Sequence, residues 1–184
     1  MGTYKYNMDL GWRDYFRGIY AHNSIAINKK NQVNFLGPFI CDKSPKSKLL
    51  YYNSEGFSAL TKAYIKENCI LSREVRYVND GFEIEDNVTI LKKQNNSIDV
   101  IFNLDKDVII DKAEGNAIKL RIDNTLMNFI LDDKLEIKLY KEYDNEIKRG
   151  YQSKEFNDIK KTNQIIGRVV TNSNIILKHR LEVI

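Results

Sequence analysis

A His-Asn pair, His22-Asn23, closes a stretch in which arginines and aromatic rings crowd together: Trp12, Arg13, Tyr15, Phe16, Arg17 and Tyr20 all fall within residues 12–23. These are the residue types of a polar binding site. A neutral imidazole can ligate a metal or exchange a proton, a guanidinium fork matches carboxylate or sulfate, and a tyrosine can stack on a sugar or donate a proton. Arg13, Tyr15, Arg17, Tyr20 and Asn23 are therefore candidates for gripping an anion or a sugar, with His22 among them. Each has a plainer alternative. Arg13 and Arg17 can pair with Asp9 or Asp14, Tyr15, Phe16 and Tyr20 can serve as core or interface aromatics, and His22 can be a satisfied structural histidine. The other histidine, His179, lies in the strand-like IILKHRLEV.

The elements that must position these groups are read from periodicity. Residues 12–23 show no alternation of period two and are expected to be irregular, as binding segments often are. Beyond residue 23 apolar and polar residues alternate, the pattern of antiparallel strands burying one face. It predicts strands over 24–28, 49–52, 58–65, 70–78, 82–90, 98–104, 108–111, 118–122, 126–131, 135–140, 164–171 and 175–183. Asn79-Asp80-Gly81 is a strong hairpin signal between two of them. About a dozen short strands with turn signals between them predict an all-β fold, an antiparallel multi-stranded sandwich of stacked sheets. Val75, Tyr77, Ile84, Ile118, Leu120 and Leu139 are expected in its core, and residues 145–163, the most polar and least regular, are expected to form a long surface loop within the single domain 1–184.

Composition bounds the function. With 42% hydrophobic and 11% aromatic residues, the 184-residue chain can bury one sizeable core. No stretch approaches ~18 consecutive apolar residues, so no membrane-spanning helix is expected. The excess of 29 Lys+Arg over 25 Asp+Glu is spread along the chain rather than gathered in a block, which argues against nucleic-acid binding and suits an acidic polysaccharide. Cys41 and Cys69 lack the spacing of a metal site and read as two buried free thiols, with a disulfide between them left open. No secretory signal pattern is visible at the start, and no GxSxG, phosphate loop, HExxH or EF-hand loop occurs.

The order GTYKYN, WRDYFR, AHNSIAIN and NQ over residues 2–32 resembles the C-terminal β domain of the heparinase II/III-like polysaccharide lyases. An R-x-V run and an I-x-D strand of that family are matched by Arg73-Glu74-Val75 and Ile84-Glu85-Asp86, and a Ser shortly before an aromatic by Ser153 and Phe156. The resemblance implies a parent enzyme with an N-terminal helical toroid, a C-terminal β-sandwich and an acidic glycan between them. It implies cleavage of uronic-acid-containing glycans by β-elimination, with the C5 proton removed by a base and the 4-linked oxygen departing. It also implies a zinc ligand at His22 in the full-length parent. The other zinc ligands of that pattern find no match in this sequence, so no metal is expected in the isolated domain and the domain alone is expected to be inert. A stand-alone carbohydrate-binding module, stacking sugars on Trp12, Tyr15 and Tyr20, and a purely structural β domain are the competing readings.

Overall fold

The computed structural model describes residues 4, 10–140 and 148–184. A short helix α1 (Leu10–Arg17) and a 3-10 turn (Ile19–Ala21) precede β1 (Ser24–Ile27), β2 (Ser47–Asn53), β3 (Gly56–Thr61), β4 (Cys69–Val78) and β5 (Gly81–Ile90). Then follow β6 (Asn96–Asn103), β7 (Ile109–Glu114), β8 (Ala117–Ile122), β9 (Thr125–Ile130) and β10 (Glu136–Tyr140). The short β11 (Tyr151–Gln152) and β12 (Lys160–Lys161) and the long β13 (Gln164–Thr171) and β14 (Ile175–Val183) complete the fold.

All pairings are antiparallel. A four-stranded sheet runs β1-β6-β13-β10, and an eight-stranded sheet runs β2-β3-β4-β5-β14-β9-β8-β7. Alternation along each strand places one apolar row between them. Leu71, Ile84, Val88, Ile118, Leu120, Phe129 and Leu177 of the large sheet belong to one buried cluster with Ile25, Ile27, Ile98, Val100, Phe102 and Ile165 of the small one. Phe102 and Phe129 meet edge to face at 4.8 Å across the interior, and burying each ring stabilises the fold by roughly 2 kcal/mol.

The small sheet is covered on both faces. Ile101 and Ala26, on its other side, pack with Ile19 of the 3-10 turn, so β6 is almost continuously buried rather than buried on alternate residues. The N-terminal segment is thus a third layer.

Four expectations are corrected by the fold. Residues 12–23 are largely helical: Trp12, Tyr15, Phe16 and Ile19 recur at the i, i+3, i+4, i+7 spacing of a helical stripe, and that stripe turns toward the aromatic cluster and the small sheet. The strand expected over 58–65 ends at Thr61. The chain then leaves the sheet, and Ala63 and Tyr64 are buried below a 3-10 turn, Ile65–Glu67. Tyr77, on the core face by parity, is 53% exposed because it lies near the end of the ladder, opposite Phe82 with only the Val78–Gly81 pair between it and the hairpin turn. Val75 and Leu139 pack against the core while only partly buried, and Ile84, Ile118 and Leu120 are buried.

The segment expected as a surface loop, 145–163, is more ordered in its described part. Residues 145–147 lie outside the described residues. From there β11 pairs with β12, and Tyr151, Gln152, Ser153 and Thr162 are buried. The physical reason is α1: the Tyr151 ring sits edge-on to Trp12 at 4.8 Å, and its backbone N–H donates to the Tyr15 hydroxyl at 3.2 Å. The segment thus closes over the aromatic layer at Tyr151 to Ser153 while Lys154, Glu155, Phe156, Asn157, Lys160 and Lys161 stay exposed as surface loop.

Candidate functional site

His22 follows the 3-10 turn with extended backbone (φ −124, ψ 151), its N–H donating to the Ile19 carbonyl. It is exposed. Even so, neighbouring groups shield enough of the ring to lower its pKa, the largest cause being desolvation. The imidazole is therefore neutral at pH 7, the form that accepts a proton or ligates a metal.

The chain after β1 folds back toward it through a tight turn. Asn28 and Lys29 take left-handed backbone conformations (φ 53 and 58), and Lys30 N–H closes the turn on the Ile27 carbonyl. Asparagine suits that conformation. Its side chain adds two bonds to β6, donating to Asn96 Oδ1 at 2.9 Å and accepting from Ser97 N–H at 3.0 Å. Asn31 then accepts the Ile19 N–H at 2.8 Å, tying the returning loop to the 3-10 turn. The result is a hollow of about 480 Å³, lined among others by Arg17, His22, Asn31, Phe35, Cys41 and Lys43. A second, more polar hollow of about 330 Å³ adjoins it, sharing Asn31, Gln32, Val33 and Lys43 and reaching Lys66 and Glu67.

The predicted binding residues fall in different places. Arg17 lines the hollow, but its guanidinium is engaged: it donates to Asp14 Oδ1 at 2.8 and 3.1 Å and to the Gly37 and Pro38 carbonyls, and lies 3.8 Å from the Phe35 ring centroid. Arg13 is buried, donates to the Pro38 carbonyl and lies over the Phe39 ring. Both arginines thus hold the loop around Pro38. Tyr15 is buried among Trp12, Phe16 and Tyr151, and burial pushes its hydroxyl up to about 12. Tyr20 donates to Asp99 at 2.7 Å beneath the Arg149 guanidinium, and burial, then that bond, raise its pKa. Asn23 is exposed, next to His22, and its Oδ1 accepts the Asn103 N–H at 2.7 Å. The structure therefore brings His22 and Arg17 to one hollow, places Asn23 at a separate one that Arg73 also lines, and commits Arg13, Tyr15 and Tyr20 to internal contacts.

Two buried ionic clusters were not anticipated. On the outer face of the small sheet Asp99, fully buried, accepts two bonds from Arg168 (2.6 and 2.8 Å) and the Tyr20 hydroxyl. Within the core, Asp86 accepts two bonds from Arg73 (2.6 and 2.7 Å). His179 Nδ1 accepts the Asp132 N–H at 3.3 Å, and its Nε2 lies 3.4 Å from Asp86 without hydrogen-bond geometry. The second cluster had a signal: counting back equally on both strands from the Asn79-Asp80 turn brings Arg73 opposite Asp86, as the register shows. The first joins strands distant in sequence, and no local pattern reports it.

Zinc does not fit the described residues. Among them no group of three or more His, Cys, Asp or Glu side chains could hold a metal ion. Cys41, expected to be buried, is an exposed free thiol on the rim of the same hollow as His22, and Cys69 is a buried free thiol. Two such groups fall short of the three or four ligands a zinc site needs.

The profile of the Heparinase II/III-like, C-terminal family matches residues 1–179. No curated protein matches the sequence. Among solved structures, the heparinase III BT4657 gene product superposes with a TM-score of 0.74 at 16% identity, over 100% of this chain and 27% of that one. The heparan sulfate lyase HepC from Pedobacter heparinus gives 0.74 at 14% identity, over 99% of this chain and 27% of that one. A further heparinase III gives 0.69 at 17% identity, over 100% and 27%. At such identities the likeness is one of fold. The chain spans about a quarter of the length of these structural neighbours.

Proposed function

The chain belongs to the Heparinase II/III-like, C-terminal family, and from that premise we propose that it is the β-sandwich domain of a polysaccharide lyase, forming one wall of a cleft for a uronic-acid-containing glycan. The observation that carries this reading is the exposed, neutral His22 at the rim of a hollow that also holds Lys43, Asn31 and Gln32, within the segment the family profile covers. The remaining wall would come from another domain of the same polypeptide, an N-terminal helical toroid. The 27% coverage of the structural neighbours supports such a further part.

The chemistry is a β-elimination. A base takes the C5 proton, the C5–H electron pair becomes the C4=C5 double bond, and the C4–O bond breaks with its pair leaving on the glycosidic oxygen, which is then protonated. The barrier lies in the carbanion-like charge that spreads onto the adjacent carboxylate, so donors near that carboxylate lower it. Lys43 supplies positive charge at the hollow while donating to the Ala63 carbonyl, and Asn31 and Gln32 add amide groups. His22 presents the titratable group. Any metal held there would need ligands from outside the described residues, and no step is assigned to one.

The test is His22→Ala in the full-length protein, assayed for unsaturated uronate with heparan sulfate and other uronic-acid glycans. A fall of about 10-fold or more in activity is expected, the usual consequence of losing a group at the site, with the β domain still folded. Full activity after the substitution would refute the role of His22 and with it the cleft-wall reading.

A further inference from the structure

The inner face of the large sheet is apolar except where Arg73, Asp86 and His179 lie in adjacent strands, with the Asp86 and His179 side chains fully buried. Stability does not explain such a cluster. Burying a carboxylate costs several kcal/mol, attraction to a well-placed guanidinium roughly offsets that cost, and apolar replacement of a buried ion pair is often neutral or stabilising.

What distinguishes this pair is the third arm of its guanidinium. Nε and Nη2 of Arg73 take the two Asp86 oxygens, and Nη1 points out of the sheet to donate to the Asn23 carbonyl at 3.0 Å. Asn23 is held a second time, by the Asn103 N–H on its Oδ1 at 2.7 Å. Two of the five N–H donors on Asp86 fix the plane and direction of the guanidinium, and one of the remaining three meets the Asn23 carbonyl, so Asp86 aims Arg73 and Arg73 fixes the peptide joining Asn23 to β1. The buried charge and the His22-Asn23 pair are parts of one rigid chain of bonds that crosses from the large sheet to the edge of the small one.

We infer that Arg73, locked by Asp86, is a positioning residue for His22: it sets the backbone carrying the imidazole at the rim of the hollow. This deepens the reading of His22 as the titratable group at the hollow and rests on it. A primary ammonium at position 73 keeps the charge opposite Asp86 but cannot bond both carboxylate oxygens and the Asn23 carbonyl in a plane.

The experiment is nuclear magnetic resonance on the 184-residue chain and two variants, Arg73→Lys and the double variant Arg73→Met/Asp86→Leu. The readouts are the His22 ring signals and hydrogen exchange at the Asn103 amide, which reports the bond to Asn23, with the Val88 amide as the core control. In both variants the His22 ring signals should move and Asn103 exchange should accelerate ~10-fold or more, while Val88 stays protected. Unchanged His22 and Asn103 signals in a folded variant would overturn the proposal, and so would full restoration by lysine, which a purely ionic structural role predicts. Should a variant unfold, the wild-type guanidinium decides: Arg73 Nη protons slowed in exchange support the anchor, and protons exchanging like those of free arginine refute it. These readouts follow geometry rather than turnover. A lyase that survives His22→Ala would sink the functional reading while leaving the measured anchor intact.

Discussion

Tyrosine burial gives the fold its own pH signature. Tyr15, Tyr20 and Tyr64 all have raised pKa values with desolvation the largest cause, and that of Tyr15 reaches about 12. A phenol whose folded pKa lies above its unfolded value of ~10 contributes stability that is complete below that pH and is lost as pH rises through the folded value. Spectrophotometric titration should therefore leave these three phenols protonated near pH 11, with unfolding releasing them together. Ionisation of all the tyrosines in one step near pH 10 would contradict the packing. Asp86 has the opposite sign: burial, the largest single cause, raises its pKa, but the charge and bonds of Arg73 together with the nearby His179 outweigh it and hold the carboxyl below its ordinary range. Its contribution is present above the unfolded carboxylate pKa of ~4 and vanishes as pH falls through the depressed folded value. Asp86→Asn should accordingly flatten the acid limb of the stability curve, read by denaturant midpoints at successive pH values.

At the scale of elements, two hairpins depend on glycine for the same reason. Gly56 opens β3 with φ +150, and a Cβ there would lie 1.9 Å from the Val75 carbonyl oxygen; Gly81 opens β5 with φ +159, and its Cβ would meet the Leu181 oxygen at 1.9 Å. Both obstacles are backbone in neighbouring strands, so neither can rotate away. Gly56→Ala and Gly81→Ala should each destabilise by about 2 kcal/mol or more, since the clash adds to an unfavourable backbone conformation. Urea midpoints would show it, and a loss below ~0.5 kcal/mol would mean the strands part readily. The strands themselves were legible, because a sheet with one wet face must alternate. Helix α1 was not. Only eight residues long, it offers barely two turns of periodicity, and its aromatic stripe reads equally well as a platform for sugars until the layer beneath it is known.

For the whole molecule, the small sheet lies between the N-terminal layer and the large sheet, and the rim with His22 sits where these layers meet. On the proposed reading this domain is one wall of a cleft, and one wall cannot hold a glycan on both sides. The 184-residue chain should therefore release no unsaturated uronate from heparan sulfate, alginate or hyaluronan, while a full-length protein supplying the other wall should. Growth of absorbance near ~232 nm, from the C4=C5 product of elimination, with the 184-residue chain alone would show that this domain carries a complete site.

Sequence by itself determined every described strand except the short β11 and β12, the Asn79-Asp80-Gly81 hairpin, the sandwich class and the family, because each rests on local period, turn chemistry or motif order. His22-Asn23 as a point of interest was also legible, from residue type alone. Tertiary structure decided which neighbours share its rim. Arg13 and Arg17 turn to the carbonyls near Pro38, Tyr15 enters an aromatic layer and Tyr20 reaches Asp99, since each finds its partner across 20 or more residues of chain, apart from the local Arg17–Asp14 pair. The hollow beside His22 forms because the Asn28-Lys29 turn returns Asn31 to the Ile19 amide. Long-range closure of this kind leaves no period in the sequence, and it alone separates residues that face a ligand from residues that hold the wall in place.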